Sequence, residues 1–183
     1  MGLLSLFRRP DPLADAAEAL YGAIVAQARS APFFADLGVP DSVDGRFDMI
    51  VLHTMLVMRR LRTEPAGRGD LAQALFDHLF RDMDRSLREI GIGDMSVGKH
   101  IKKMAKAFYG RAADYETGLD TGPTALADAL ARNLYRNTAP NTAQMTAMAA
   151  YVQAADVALR AVPSEDLVRG RIAWPSAPQA NAA

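Results

Sequence analysis

From Met49 to Met58 the chain reads MIVLHTMLVM, apolar on nearly every side of a helix and interrupted only by His53 and Thr54. A helix without a polar face cannot lie at a water surface, so other elements have to surround it. It is also far too short to cross a membrane, which takes roughly 20 apolar residues. The run therefore predicts the central, most buried helix of a bundle. Its end turns basic at Arg59, Arg60 and Arg62, which suits a helix C-terminus, and Asp44 or Asp48 is the expected N-cap.

The flanking segments supply the surrounding helices. Leu13 to about Ser30 places Leu13, Ala17, Leu20, Ile24 and Ala28 at helical spacing among strong helix formers. Pro32 stops it, and a turn-rich loop through Gly38, Pro40 and Asp41 follows, with Phe33 and Phe34 expected to plug that loop onto the core. Pro65, Gly67 and Gly69 form a connector, and Asp70 caps a third helix. Its apolar stripe is Leu71, Leu75, Leu79, Met83, Leu87 and Ile90, opposite the mixed charges Asp77, Arg81, Asp84, Arg85 and Arg88. Gly91 stands where a left-handed C-terminal residue is wanted. Asp94 or Ser96 then opens a fourth helix with Val97, Ile101, Met104, Phe108 and Tyr115 inward.

Gly118, Gly122 and Pro123 make the next break, and Thr124 starts a shorter helix with Leu126, Leu130 and Leu134, ended by Pro140. From Asn141 onward, Met145, Met148, Val152, Ala155, Leu159 and Val162 alternate steps of three and four, the period of a packed helix seam. A short helical turn is expected after Pro163, and no segment alternates like a strand. The expected fold is all-α, a compact single-domain bundle of about six helices. It spans residues 13–169, between an N-terminal tail (1–12) and an irregular C-terminal tail (170–183).

Composition narrows the function classes. The formal net charge of the 183 residues is zero, so no bulk attraction draws the chain to nucleic acid, and any electrostatic steering must be local. The absence of cysteine removes disulfides, thiolate metal sites and thiol catalysis together. In the opening MGLLSLFRRPDP the basic Arg8 and Arg9 follow the apolar residues, the reverse of a secretory signal. A cytoplasmic location is expected. Leu3, Leu4, Leu6 and Phe7 offer a weak contact at the inner face of the plasma membrane.

Several motifs point to chemistry. Gly93-Asp-Met-Ser-Val-Gly98-Lys99-His100 matches a phosphate-binding loop except at its last position, where His100 replaces the magnesium-binding hydroxyl. A helix rather than a strand precedes it, so a glycine-rich joint between helices explains the same residues. Nucleotide binding at Gly93–Lys99 stays as one alternative. A haem-handling protein using His53 or His78 is another. No HExxH pair accompanies the histidines, and His78 with Asp82 makes only two potential ligands, so neither a metal nor a cofactor is expected. Asp82, Asp84, Asp114 and Glu116 all have basic or polar neighbours, and no nucleophile elbow appears, so the chain does not read as an enzyme.

Lys99, Lys102, Lys103 and Lys106 follow three- and four-residue steps along one helix face, with Arg111 extending the row and no acid between Asp94 and Asp114. Like charges so placed repel one another, and Phe108 and Tyr109 beside them suit an acidic or amphipathic partner. Methionines on the inward faces fill gaps and also line surfaces that accept varied apolar segments.

The run MDRSLREIGIGDMSVGKHIKKMAKAFYGRAADY, Met83 to Tyr115, strongly resembles the ubiquinol–cytochrome c chaperone family, assembly factors of the cytochrome bc1 complex. HTMLVMRRLR (from His53), LFDHLF (from Leu75) and RNLYR (from Arg132) are similar pieces, and the resemblance spans roughly Pro32 to Val162. It implies an all-helical, non-enzymatic chaperone of bacterial form that binds newly made cytochrome b, or another hydrophobic membrane-protein client. A small assembly partner or a ribosome contact is known among mitochondrial relatives. The matching positions are Asp84, Arg88, Lys99, Lys103, Phe108, Tyr109 and Arg111 as client or partner contacts, joined by Lys106 of the ridge. Gly91, Gly93, Asp94 and Gly110 match as the structural joint.

Overall fold

The computed structural model describes residues 11–64, 69–136 and 138–178; the apolar N-terminal patch and most of the Pro65–Gly69 connector lie outside them. The described chain is all-helical. Its helices are α1 (Pro12–Ala28), α2 (Ala31–Ala35), α3 (Val43–Arg62), α4 (Gly69–Glu89), α5 (Asp94–Thr121), α6 (Pro123–Leu130), α7 (Thr142–Arg160) and α8 (Ser164–Leu167). Six of these have eight residues or more, as expected. The loop after Pro32 proved to hold a further short helix, because Phe33 is driven fully into the core and pulls one turn of backbone with it.

Helix α3 is the axis. Every residue from Asp48 to Val57 is buried, and α1, α4, α5 and α7 pack around it. Its N-cap is Ser42, whose hydroxyl accepts from the Gly45 N–H at 3.1 Å, rather than Asp44 or Asp48. Asp48 lies a turn and a half inside the helix and points into the protein. At the other end Arg60 turns across to α7. There its Nε donates to Leu159 O at 3.0 Å, which also accepts from the Val162 N–H at 3.1 Å, and its Nη2 donates to Val162 O at 2.8 Å just past the end of α7.

The remaining helices start and stop for local reasons. Asp11 caps α1 by accepting from the Leu13 and Ala14 N–H groups. Asn141 and Gln144 form a reciprocal capping box at α7, at 2.8 and 2.9 Å. Helix α5 runs past the expected break at Gly118, because that glycine sits where the backbones of α5 and α6 nearly touch; a Cβ there would come within 2.8 Å of Leu126 Cα. The leucines of α6 continue inward through a π-helical turn, Ala131–Tyr135, rather than a regular helix ending at Pro140. That turn ends at Arg136, whose φ of 39° is unusual for a residue with a side chain.

The segment 171–178 has no regular secondary structure, yet it is stitched to the core. Trp174 Nε1 donates to Ala23 O at 3.2 Å and Gln27 Nε2 to Pro175 O at 3.1 Å.

Two glycines of α5 test this packing in opposite directions. Gly118→Ala is expected to cost about 1–2 kcal/mol from forced separation of α5 and α6. Gly98→Ala, where a Cβ meets nothing within 4 Å, is expected to add about 0.5–1 kcal/mol through helix propensity alone. Urea unfolding of both variants against the parent checks the pair.

Candidate functional site

The joint between α4 and α5 is a complete Schellman turn. Gly91 has φ 87°, the Ile92 N–H donates to Leu87 O at 3.0 Å, and the Gly91 N–H donates to Arg88 O at 3.0 Å. Gly93, extended, is the N-cap of α5, and Asp94 stands in its first turn. Arg88 bridges the joint, with its Nε 2.6 Å from Asp84 Oδ2 and its Nη1 on Asp94. Asp84, Arg88 and Asp94 thus clamp the angle between the helices. The clamp is exposed and contributes at most about 1 kcal/mol. The Gly93–Lys99 stretch is helix rather than phosphate loop. It follows another helix rather than a strand, and the carboxylate of Asp94 in its first turn is paired with Arg88.

Beyond the joint the hairpin stands partly clear of the core. Between Arg81 and Ala107 only Val97 is fully buried. Leu71, Leu75 and Leu79 seal the base of α4, whereas Met83, Leu87, Ile101 and Met104 are only half-buried. Ile90, expected on the inward stripe, is 67 % exposed because the Schellman turn ends the helix beneath it, and Met95 is wholly exposed. The two helices are joined by an aromatic cluster. Phe76 meets Phe80 at 4.6 Å, Phe108 at 5.4 Å and the stacked Tyr109 ring at 5.4 Å. Phe108 is buried at its centre, while Tyr109 is 58 % exposed. An apolar seam of Phe76, Phe80, Met83 and Tyr109 therefore reaches the surface.

Lys99, Lys102, Lys103 and Lys106 are all exposed on α5, as the spacing predicts. Gly110 is exposed between Tyr109 and Arg111, in the body of α5 and not in the joint. Arg111 does not extend the lysine row. It turns inward, its Nη1 3.0 Å from Asp48 Oδ1 and its guanidinium over the Phe47 ring. Arg136 grips the other Asp48 oxygen.

Asp48 is a feature that sequence reading missed. Its side chain is 2 % exposed, and burial pushes its carboxyl up to about 6 even though both guanidiniums pull the other way. Beside it the Tyr115 hydroxyl is buried without a hydrogen-bond partner, and burial pushes its pKa up. The one available signal was an acid entering the apolar run at its very edge. That position reads as a helix cap until Arg111 and Arg136 are seen to converge on it.

His53 is enclosed. Its Nδ1 donates to Met49 O at 2.8 Å and its Nε2 accepts from the Tyr151 hydroxyl at 2.7 Å. The tautomer follows because the Met49 carbonyl can only accept, which puts the proton on Nδ1; the Tyr151 hydroxyl, which itself accepts from Gln27 Nε2 at 2.9 Å, then donates to Nε2. Both ring nitrogens are engaged, and Trp174 covers the ring edge at 5.0 Å. An iron could reach neither nitrogen without breaking these bonds. His78 lies against the Tyr21 ring at 4.9 Å, and Asp82 accepts from the Tyr21 hydroxyl at 2.8 Å and pairs with Arg85. Among the described residues no three histidine or acidic side chains converge as a metal site. A half-open basin of about 350 Å³ lies between Arg59, Arg60, Arg62, Arg160, Glu116 and Asp156. Its guanidiniums are already paired with carboxylates, so it is a neutralised ion network.

Comparison with known proteins places these features in a family. The pattern described as Ubiquinol-cytochrome C chaperone matches residues 35–174. The chain belongs to that family. The family match takes in the α4–α5 hairpin and ends at Trp174, the residue that closes over His53. The chain is similar to the crystallised Cbp3 homolog from Brucella abortus, with 38 % identity and a TM-score of 0.81 over 96 % of this chain and 98 % of that one. It also resembles ubiquinol-cytochrome-c reductase complex assembly factor 1 from Xenopus laevis, 22 % identical over 143 residues, which is 78 % of this chain and 72 % of the relative.

The buried groups predict a distinctive pH response. Burial lowers His53 from its ordinary 6.5 to about 4. As pH falls through that interval the unfolded chain takes up a proton that the folded chain refuses, so stability falls by about 3 kcal/mol in all. Asp48 acts oppositely: raised in the folded chain, it takes up its proton first there, so stability rises as pH falls from about 6 toward the ordinary 3.8. Asp48→Asn removes the opposing slope. Urea midpoints followed from neutral pH down are expected to fall more steeply in that variant than in the parent.

Proposed function

We propose that this protein is a non-enzymatic assembly chaperone of the cytochrome bc1 complex that holds newly made cytochrome b until its partner subunits join. The observation that carries the reading is the seam of partly buried Phe76, Phe80 and Met83 beside the exposed Tyr109, on a hairpin whose outer part stands partly clear of a well-sealed core. Exposed aromatic and methionine side chains on an otherwise folded protein mark a contact surface for apolar segments. Family membership supplies the class of client, because the relatives are described by ubiquinol–cytochrome c reductase and its assembly. No helix among the described residues is long and apolar enough to cross a membrane. The hairpin would accordingly meet its client from the membrane surface, at the inner face of the plasma membrane.

The seam, rather than Phe108 and Arg111, makes the contact in this reading. Phe108 supports the exposed rings from below and Arg111 is committed to Asp48. The clamp of Asp84, Arg88 and Asp94 sets the angle at which the hairpin is presented.

Affinity capture tests the proposal. A tagged parent chain is expected to bring down newly made cytochrome b. A Met83→Gln/Tyr109→Ala variant with unchanged thermal unfolding is expected to bring down about tenfold less, the loss of roughly 1.4 kcal/mol at one well-placed contact. Deletion of the gene is expected to lower the assembled complex. If no cytochrome b is captured and the complex reaches normal levels after deletion, the proposal fails.

A further inference from the structure

All four lysines of this chain lie within the eight residues Lys99–Lys106, although the chain has 21 basic residues. Every other basic residue is arginine, and every ion pair among the described residues is made by an arginine. Among the described residues no carboxylate is paired with a lysine. At 100° per residue, Met95, Lys99, Lys102, Lys106 and Tyr109 fall on one stripe of α5, with Lys103 at its edge. The opposite face carries Val97, Phe108 and Tyr115, which anchor the helix to the protein. The stripe is about 21 Å long at 1.5 Å per residue. It contains no acid, and it begins at the wholly exposed Met95 beside the exposed Ile90 of the turn.

We infer that this face of α5 is a docking surface for an anionic lipid bilayer. Three observations favour headgroups over a protein partner. The face is the exposed outer side of a helix, so it lacks the walls that would orient one carboxylate. Its charges are lysine ammoniums, strongly hydrated point charges on flexible stems, in a chain that uses the planar arginine fork for every defined ion pair. Such charges suit a diffuse layer of phosphates, where each contributes independently. Finally, Ile90, Met95 and Tyr109 flank the lysines with apolar and amphipathic side chains of the kind that settle at the headgroup level. Mutual repulsion along the stripe, a small cost in the free chain, is relieved when the charges face an anionic surface. The face lies next to the proposed client seam on the same hairpin and deepens that reading, placing the seam at the bilayer where a membrane-protein client emerges.

The test uses the purified full-length chain and vesicles without any client, so its outcome is independent of cytochrome b capture. Sedimentation is expected to show binding to vesicles containing phosphatidylglycerol, weak binding to pure phosphatidylcholine, and release as salt is raised. Lys102→Gln/Lys106→Gln is expected to lower partitioning by roughly 30-fold, about fivefold for each charge near such a surface, with thermal unfolding unchanged. A Leu6→Ser/Phe7→Ser variant is expected to retain most of the binding. Equal binding to neutral vesicles, binding unaffected by the lysine substitutions, or loss of binding only in the Leu6/Phe7 variant would each overturn the inference. So would lysine-dependent capture of an acidic protein with no vesicle binding.

Discussion

The burial of α3 on all sides sets the terms for the rest of the molecule. A helix enclosed from Asp48 to Val57 needs a neighbour in every direction, and α1, α4, α5 and α7 take those places. It also carries polar groups inward that water can no longer serve, and an unpaired buried polar atom is costly. The surrounding structure is shaped by meeting that demand. Tyr151 and Met49 O complete His53, and Gln27 in turn completes Tyr151 while holding Pro175. In this way Pro175 is tied through the end of α1 and Tyr151 of α7 to His53 at the centre of α3. At Asp48 the same demand draws in Arg111 from α5 and Arg136 from the end of a π-helical turn.

The Asp48 cluster also explains an otherwise odd backbone. A residue with a side chain and positive φ is disfavoured unless its surroundings hold it there. Arg136 is held by its own Nε on Asn133 O and by its guanidinium on Asp48. The π-turn before it carries Leu134 and Tyr135 into the core, where the Tyr135 hydroxyl reaches Leu37 O at 2.9 Å. Helices α3, α5 and the segment after α6 therefore meet in one buried ion group, and the base of α5 is fixed. Toward the N-terminus of α5, where only Val97 is buried and the tip is held by a turn and an exposed clamp, the hairpin projects a surface that folding leaves uncovered.

Much of this was legible in the residues. The period of the apolar positions placed the helices and the inward faces of α4 and α5, and the Gly91 turn followed from glycine's access to left-handed backbone. The lysine row needed only helical spacing. The long Met83–Tyr115 run carried the family. Elsewhere local reading misled. Asp48 resembled a cap because caps and buried acids look alike at the edge of an apolar run. Arg111 resembled one more ridge charge because spacing cannot tell which of several basic residues has a buried acid across from it. His53 stayed open as a haem ligand because its partner Tyr151, which closes its Nε2, is 98 residues away.

The sequence by itself determined an all-helical bundle around Met49–Met58, a glycine joint at residue 91 and one cationic face on α5, since each depends on contacts within a few residues. Tertiary structure decided which charges face water and which face Asp48, how the tail closes over His53, and how far the apolar seam of the hairpin stays open. Those outcomes turn on which distant side chains come within a few ångströms of each other, and helical periodicity carries no record of that.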